Sequence, residues 1–308
     1  MNKEKKKLPL SFRILDIFYI VMAILPLVFG IVLDILTTPA AGKGVSIAGA
    51  RIYCDIDIAS GNFFDIIISE AQVNSVLVIL TILFVCLYLT HGLKEKIELK
   101  RQHIAEIIVE KVDSLVGENM GSDFSGFPPF IIGIMALSGL SSLLSLIGLY
   151  PPTSDINIVG GWAILVFAII TYYKLKCGPI YYAKGFMEPV FILAPINVIG
   201  EFATPISMAF RHYGNIMSGS VISVLISAFL AWASNLIFGA ITSLPILQVG
   251  LPAIFSLYFD IFSGCLQAFI FAMLTMLNIS TAFDAEEYYR RKKKKEEKKK
   301  LKKLNGGI

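Results

Sequence analysis

Residues 211–260 read RHYGNIMSGSVISVLISAFLAWASNLIFGAITSLPILQVGLPAIFSLYFD, and this stretch decides the fold. It begins with Arg211 and ends with Asp260, and the 48 residues between them contain no Asp, Glu, Lys or Arg. About 20 apolar residues cross a bilayer as a helix. The stretch therefore holds the rest of one span, a turn and the start of another, and it predicts a helical hairpin over about 189–240 and 249–282.

The first arm of this hairpin is too long to stand upright, because a helix that rises 1.5 Å per residue crosses about 30 Å of hydrocarbon in about 20 residues. We predict that the arm is tilted, curved or broken, and the candidates for a bend are Pro189, Pro195 and Pro205. Pro and Gly also mark the predicted turn between the arms, in Ser243-Leu-Pro245 and Gly250-Leu-Pro252.

The composition of the whole chain agrees with a membrane protein. Of its 308 residues 56% are hydrophobic and 16% are charged, whereas soluble domains carry about 25% charged residues. The mean hydropathy is +0.72. A soluble core cannot bury this much apolar surface, so the sequence predicts an all-α integral membrane protein.

Four further apolar runs predict spans at about 14–36, 73–90, 128–149 and 156–172, which brings the total to about six transmembrane helices. Basic residues precede the first run, so a signal peptide with a weak cleavage site at Ala40-Ala41 is the alternative for this segment. The run is longer than the apolar core of about 7–15 residues that a signal peptide has. We therefore favour an uncleaved span.

The basic residues between the spans predict the orientation. Most Lys and Arg lie in four segments, 1–13, 91–126, 173–188 and 290–303, and six spans place all four on the cytoplasmic side together with both termini. The only basic residues in the segments left outside are Lys43 and Arg51. We expect the basic ends to touch anionic lipid rather than nucleic acid.

These segments also divide the chain. The first part, 1–72, holds the basic N-terminus, the first span and an external loop over 37–72; a membrane domain follows at 73–289 and a Lys-rich cytoplasmic tail at 290–308. Within the membrane domain, 91–126 is predicted to hold an amphipathic surface helix near 104–112, and 173–188 a short basic loop with Lys174, Lys176 and Lys184.

Several kinds of site are not supported by the sequence. Its four cysteines form no CxxC pair, its three histidines have no ligand spacing, and it has neither a GxxxxGK loop nor a GxGxxG turn. We expect no metal, no cofactor and no catalytic residue in this chain.

Arg211 is the residue that most strongly indicates function. An arginine at the centre of a membrane helix costs at least about 2.5 kcal/mol, and such residues usually mark ion or proton pathways. The alternatives are an arginine that reaches the membrane surface and a structural ion pair. One and two turns away on the same face lie Thr204, Ser207, Asn215 and Ser218.

The second arm carries a comparable polar stripe, formed by Asp260, Ser263, Gly264, Gln267 and Asn278. Either stripe alone is compatible with hydrogen bonding between helices, but two opposed stripes of opposite charge favour a hydrated path. Asp260 is then either a proton-exchanging carboxyl or a solvated group at the outer boundary. Glu201 lines an exit path or is an interfacial carboxylate. His212 lies about 100° round the helix from Arg211 and is expected to be packing or interfacial.

Four segments resemble subunit a of bacterial F-type ATP synthases. They are PINVIGEFATPISMAFRHYGN at 195–215, LQAFIFAMLT at 266–275, FPPFI at 127–131 and PPTSDIN at 151–157. The resemblance covers about residues 70–282. It implies that the long tilted hairpin faces a ring of c subunits, the c-ring.

The resemblance also implies roles for single residues. Arg211 matches the arginine that faces the c-ring carboxylate, Asn215 the asparagine one turn on, and Gln267 the glutamine near that arginine. Asp260 and Glu201 match acidic positions of the family, whereas Ser220 stands where many members have Glu or His. With the stripe residues, the predicted ion-translocation set is Arg211, Asn215, Asp260, Gln267, Glu201, Ser207, Ser220 and Ser263.

The implied function is translocation of H⁺ or Na⁺ through two half-channels at the c-ring, coupled to ATP synthesis elsewhere in the complex. The implied partners are the c-ring, the peripheral-stalk subunit b, the other synthase subunits and membrane lipid, in the bacterial plasma membrane. One alternative is a secondary transporter with Arg211 as its substrate site, for which the sequence shows no convincing internal repeat. The other is a structural membrane assembly protein.

Overall fold

The computed structural model describes residues 10–38, 49–56, 66–93, 99–187, 191–238, 250, 254–255 and 257–305. Among these residues, six helices are long and apolar enough to cross a membrane: Phe12–Thr37, Glu70–Thr90, Pro128–Ile147, Ile156–Cys177, Phe191–Ile237 and Leu257–Ala282. The predicted all-α membrane fold with about six spans is therefore confirmed.

In chain order the described elements are α1 (Leu10–Thr37), β1 (Ile52–Ile56), β2 (Ile66–Ser69), α2 (Glu70–Thr90), α3 (Lys100–Met120), α4 (Pro128–Leu143), α5 (Ile156–Cys177), α6 (Pro179–Gly185), α7 (Ala194–Phe238), α8 (Gly264–Ala282) and α9 (Ala285–Asn305). A 3₁₀ turn, Leu144–Ile147, continues α4. A π-helical segment, Leu257–Ser263, leads directly into α8.

The structure differs from the loop predicted for 37–72. β1 and β2 pair as an antiparallel hairpin in which Cys54 faces Ile68, and α2 begins at Glu70, before the predicted residue 73. The Ser69 hydroxyl accepts the Gln72 N–H at 3.4 Å, while the Gln72 side chain accepts the Ser69 N–H at 3.2 Å. This reciprocal cap fixes the start of α2.

α1 packs along α2 and is tied to the rest of the chain near both ends. Near its start, Asp16 pairs with Arg101 and lies 3.1 Å from His91 Nδ1. Near its end, Asp34 pairs with Arg51 at 2.5 Å, and Arg51 Nε lies 3.5 Å from the Glu70 carboxylate. Arg101 is only 8% exposed, so its charge depends on the Asp16 carboxylate.

α7 is a single helix of 45 residues, roughly 68 Å long at a rise of 1.5 Å per residue and more than twice the thickness of the hydrocarbon core. It must therefore lie at a large angle to the membrane normal. Pro195 stands in its first turn and Pro205 inside it, where it removes the backbone bond to the Glu201 carbonyl. No break occurs in the described part of the arm. Pro189 and the predicted turn residues other than Gly250 lie outside the described residues.

The predicted basic loop at 173–188 is wrong at its beginning, because α5 continues to Cys177 and holds Lys174 and Lys176 in its last turn. Four aromatic rings surround the Lys176 ammonium at 5.3–6.0 Å, those of Tyr172, Tyr173, Phe283 and Tyr288. These contacts stabilise a cation at a helix C-terminus, where the helix dipole also favours it.

The predicted surface helix is present as α3, but its apolar residues are split between two faces. Val112 and Val116 are buried in the core, whereas Ile104, Ile107 and Ile108 are exposed. The core joins α3, α4, α5, α7 and α8 and includes Val116, Phe124, Ile131, Val166, Met208, Phe271, Met276 and Ile279.

α9 begins after Asp284 and runs across residue 290, the predicted start of the tail. The Asp284 carboxylate accepts the Glu287 N–H at 3.0 Å and the Tyr181 hydroxyl at 2.7 Å. These two hydrogen bonds, of which the backbone bond has the larger effect, hold the pKa of Asp284 below its usual value. The base of the Lys-rich helix is thus fixed against α6.

The close approach of α4 and α8 gives a test of the packing. A Cβ added at Gly264 would lie 2.9 Å from the Ser142 Cβ. We expect Gly264→Ala to destabilise the protein by about 1–3 kcal/mol, the cost of overpacking a tight contact, in thermal unfolding in detergent followed by circular dichroism. Gly139→Ala in the same interface is the matched control, since its Cβ would meet Ala268 at an ordinary 3.8 Å. Equal unfolding midpoints for the two variants would contradict this packing.

The ion pair near the start of α1 gives a second test. Asp16→Asn keeps the side-chain shape but leaves the buried Arg101 charge without its counter-ion. We expect a loss of roughly 2–3 kcal/mol in the same unfolding measurement, less than for a fully buried pair because the Asp16 side chain is 21% exposed. Arg13→Ala, at an exposed position of α1, should change the stability little. A stability loss as large in Arg13→Ala would show that charge removal from α1, rather than the ion pair, is responsible.

Candidate functional site

The two polar stripes of the hairpin meet at Asn215 and Ser263. Asn215 Nδ2 donates to Ser263 Oγ at 2.7 Å, and Ser263 Oγ donates to Asn215 Oδ1 at 3.0 Å. Nearer the turn, a Cβ at Gly219 would lie 3.0 Å from the Phe259 ring. These contacts set the register in which α7 runs antiparallel to the Leu257–Ala282 arm.

This register places Arg211 at the level of Gln267. Arg211 stands one turn before Asn215 on α7, and Gln267 stands one turn after Ser263 on the antiparallel arm. Gln267 is 5% exposed, whereas Arg211 is exposed. The glutamine therefore belongs to the helix interface, and the arginine stands at its outer edge.

Arg211 lies on a face of α7 that the other described residues leave uncovered. Exposed residues at the same angle round the helix are Ser207, Ser218, Ile222, Leu225, Phe229 and Trp232. Arg211 makes no hydrogen bond or ion pair with any other residue that the structure describes. A cation on an apolar membrane face is costly unless an anionic group meets it. The geometry thus leaves a positive charge exposed on an apolar face, where an anionic group can meet it.

Asp260 is half-buried in the π-helical segment, three residues before Ser263. Ser207 is exposed one turn before Arg211 and on its face. Ser220 does not join this group, since it lies about 180° round α7 from Arg211 and its hydroxyl donates to the Ile216 carbonyl of its own helix at 3.1 Å.

Glu201 lies ten residues before Arg211, roughly 15 Å along the helix, and holds an ion pair that the sequence did not predict. Lys174 Nζ of α5 donates to both Glu201 carboxylate oxygens, at 2.6 and 2.5 Å. Burial raises the pKa of the neighbouring Tyr182 hydroxyl, and the charge of Glu201 raises it further. The sequence prediction placed Lys174 in a basic loop and therefore did not pair it with Glu201. The spacing of Lys174 from the core residues of α5 nevertheless indicated that it belongs to the helix.

A row of buried hydroxyl groups, which the sequence also did not predict, lies behind α7. Thr153 Oγ1 lies 3.4 Å from Ser142 Oγ, and Ser142 Oγ donates to the Ser138 carbonyl at 3.1 Å. Ser138 Oγ lies 3.2 Å from His212 Nε2. All four side chains are at most 1% exposed. Serines are common in membrane helices as interhelical hydrogen-bonding groups, so their sequence pattern alone is weak.

His212 is packed in the interior, as one of the two predicted alternatives has it. Its ring contacts Phe271 at 5.6 Å and Trp162 at 6.0 Å. Among the described residues its Nδ1 atom has no hydrogen-bond partner. The row of hydroxyls therefore ends at the ring of His212, the residue next to Arg211 in the sequence. The Nδ1 atom of this ring is able to form a further hydrogen bond.

The arrangement places one cation between two carboxyls along a steeply inclined helix hairpin. Glu201 lies on one side of Arg211, and Asp260 lies on the other, beyond Asn215 and Ser263. No cluster of three or more His, Cys, Asp or Glu in the described part of the chain could hold a metal ion. The site is suited to moving ions past a fixed charge.

The comparison with known proteins identifies the family of the chain. A family model described as ATP synthase A chain matches residues 73–280, more than half of the chain. The chain belongs to this family, whose members translocate ions in F-type ATP synthases. It is therefore a multi-pass membrane protein that works together with other ATP synthase subunits. The transporter and structural alternatives are not favoured.

Three relatives show the extent of the similarity. The chain is 32% identical over 226 residues to ATP synthase subunit a of Trichlorobacter lovleyi, and the matched region covers 70% of this chain and 90% of that protein. It is 31% identical over 195 residues to the Bacillus pumilus subunit, covering 59% and 78% respectively. It is 30% identical over 206 residues to the sodium ion specific subunit a of Propionigenium modestum, covering 61% and 65%.

A double-mutant cycle tests the contact that sets the hairpin register. Asn215→Ala and Ser263→Ala should show a coupling free energy of about 0.6–1.7 kcal/mol, between the mean and the maximum found for interhelical hydrogen bonds in membranes. The measurement is equilibrium unfolding in mixed detergent micelles. Ser220→Ala combined with Ser263→Ala is the control and should show additivity, since Ser220 bonds to its own helix. Additivity in the Asn215 cycle would mean that the bond does not stabilise the hairpin.

Proposed function

We propose that this chain forms two offset half-channels against a c-ring, with Arg211 between them. The observation that carries the proposal is Arg211, which is exposed on an otherwise apolar face of α7 and has no partner among the residues that the structure describes. A c-ring carboxylate supplies the anionic group that such a cation requires in a membrane. The ring then docks along the exposed stripe that continues from Arg211 to Trp232.

Ions approach from the outside near Asp260. The carboxyl is half-buried beside the Asn215–Ser263 contact, so it exchanges with solvent and still lies close to the level of Arg211. Ser263 and the interface residue Gln267 continue the polar surface inward, and Ser207, on the face of Arg211, is the remaining hydroxyl assigned to the path. The hydroxyl row from Thr153 to His212 supplies further polar atoms behind the same helix.

Arg211 controls passage between the two half-channels. Its charge repels cations, which prevents a direct leak, and attracts a deprotonated ring carboxylate as the ring turns. An ion that enters therefore has to travel round on the ring before it leaves. The membrane potential supplies about 2.3 kcal/mol per charge for each 100 mV.

Ions leave near Glu201, toward the cytoplasm. Two cavities meet at this carboxylate, of about 620 and 140 Å³, and provide space for hydration along this part of α7. The chain makes and breaks no covalent bond in this scheme, and nucleotide chemistry belongs to other subunits. The coupling ion is H⁺ or Na⁺, since the family includes a member named as sodium ion specific.

The assembly follows from the same proposal. The basic segments lie on the cytoplasmic side of a bacterial plasma membrane with both termini, and the Lys-rich helix α9 extends from that face near anionic lipid. Subunit b of the peripheral stalk holds the chain still while the c-ring moves. The membrane domain, 73–289, performs translocation, and 1–72 and 290–308 flank it.

The decisive test is ATP-driven ion pumping in inside-out vesicles. Arg211→Ala should reduce coupled pumping to background while the complex still assembles with its c-ring, because the charge that separates the half-channels is gone. Arg290→Ala, which removes an exposed cation from α9, is the control and should pump normally. Undiminished pumping by assembled Arg211→Ala complexes would exclude this mechanism.

A further inference from the structure

The Lys174–Glu201 ion pair stands in a wall shared by two cavities. The large cavity, of about 620 Å³, is bordered by Lys174, Tyr181, Tyr182, Asn197, Glu201 and Asp284 among others. The small cavity, of about 140 Å³, is bordered by Phe167, Ile170, Lys174, Glu201, Thr204, Asn278 and Thr281. Lys174, Glu201 and Thr281 line both. The pair therefore occupies the junction of the two spaces.

The small cavity lies on the side of the pair that faces Arg211. Thr204 in its wall is two turns before Arg211 on the same face of α7, roughly 10 Å along the helix. Asn278 in the opposite wall donates to Met208 Sδ at 3.5 Å, one turn from Arg211. A path from the arginine to the large cavity thus passes the ion pair.

The Lys174 ammonium has a second environment within reach. Its Nζ lies 5.7 Å from the centre of the Tyr182 ring, and the large cavity beside it also contains the Asn197 amide and the Asp284 carboxylate. The side chain comes from the last turn of α5 and is flexible. It can therefore leave Glu201 without losing all favourable contacts.

We propose that the Lys174–Glu201 pair is the gate of the exit half-channel. A cation that reaches the small cavity binds the Glu201 carboxylate and displaces the Lys174 ammonium toward Tyr182 in the large cavity. The cation then leaves through the large cavity, and the ammonium returns. Glu201 has a positive partner at each stage, so no half-buried carboxylate is left uncompensated.

The gate rests on the proposed function for the direction of ion flow, but its closed state is a property of this chain alone. A merely structural bridge between α5 and α7 would affect assembly and leave access to the small cavity unchanged. A gate makes the rate at which a polar reagent enters the small cavity depend on the ion pair. The test therefore measures access from each side of the membrane, separately from pumping.

A cysteine introduced in place of Asn278 reports this access. Asn278→Cys is introduced into the assembled complex after Cys54, Cys86, Cys177 and Cys265 have been replaced by Ser, and is treated in inside-out vesicles with an anionic, membrane-impermeant methanethiosulfonate. We expect Lys174→Met and Glu201→Gln each to increase the labelling rate about tenfold, since breaking a charge-assisted hydrogen bond changes an equilibrium by at least this factor. In Lys174→Met the attraction for an anion is weaker, so a faster reaction of this variant reports opening rather than charge. In Glu201→Gln the attraction is stronger, so its rate supports the gate only together with that of Lys174→Met.

Two further variants complete the design. Lys176→Met removes a neighbouring cation of the same helix turn and should leave the labelling rate unchanged. The charge-swapped double variant, Lys174→Glu with Glu201→Lys, should restore slow labelling if it copurifies with the c-ring. Equal rates in the parent, Lys174→Met and Glu201→Gln would overturn the gate. Labelling of the introduced cysteine from the external side alone would instead overturn the exit side in the proposed function.

Discussion

A positive charge fixed on an apolar membrane helix is the constraint on which the rest of the structure depends. Nothing in the described chain pairs with Arg211. The fold nevertheless holds it on a face that the described residues leave uncovered, at the level of a buried glutamine. The surrounding helices are arranged to keep that position fixed rather than to relieve its cost.

Three kinds of contact maintain the position. The Asn215–Ser263 bonds set the level of the two arms, the glycines at 219 and 264 allow close approach, and His212 packs between the aromatic rings of α5 and α8. Asn215, Gly219 and His212 lie within about 60° of one another on the packed side of α7, whereas Gly264 allows the close approach of α4 to α8. Because the helix is inclined and far longer than the membrane is thick, a small rotation at one end would move the arginine considerably at its middle.

Much of this fold could be predicted because the bilayer imposes simple rules on sequence. Apolar runs gave the spans, and the charge-free stretch from 212 to 259 predicted the hairpin. The β1–β2 hairpin was missed, since apolar strands of five and four residues are too short to be distinguished from loop segments, although the Ser69–Gln72 cap could be recognised in the sequence. The ends of helices were less predictable, because Lys176 in its aromatic cage and Asp284 with its Tyr181 bond depend on residues about 100 positions apart.

The candidate site likewise contains some residues that could be predicted from the sequence and others that could not. Arg211, Asn215 and Ser263 could be predicted because helical spacing places polar residues on one face, and the structure brings the latter two into contact. Lys174 could not be predicted as the partner of Glu201, since their pairing depends on how α5 packs against α7. The contact between Ser138 and His212 could not be predicted for the same reason, because the two residues are 74 positions apart in the chain.

The anchoring of α1 also bears on how the chain is made. The Asp16 carboxylate leaves the ribosome 85 residues before its partner Arg101, an interval of about 4–17 seconds at 5–20 residues per second. During that time the first span has an unmatched acidic group near one end. The region matched to the family begins only at residue 73, so α1 precedes the part of the chain common to its relatives. Its final placement must await the synthesis of α3, which makes the insertion of this span a late-completing step of biogenesis.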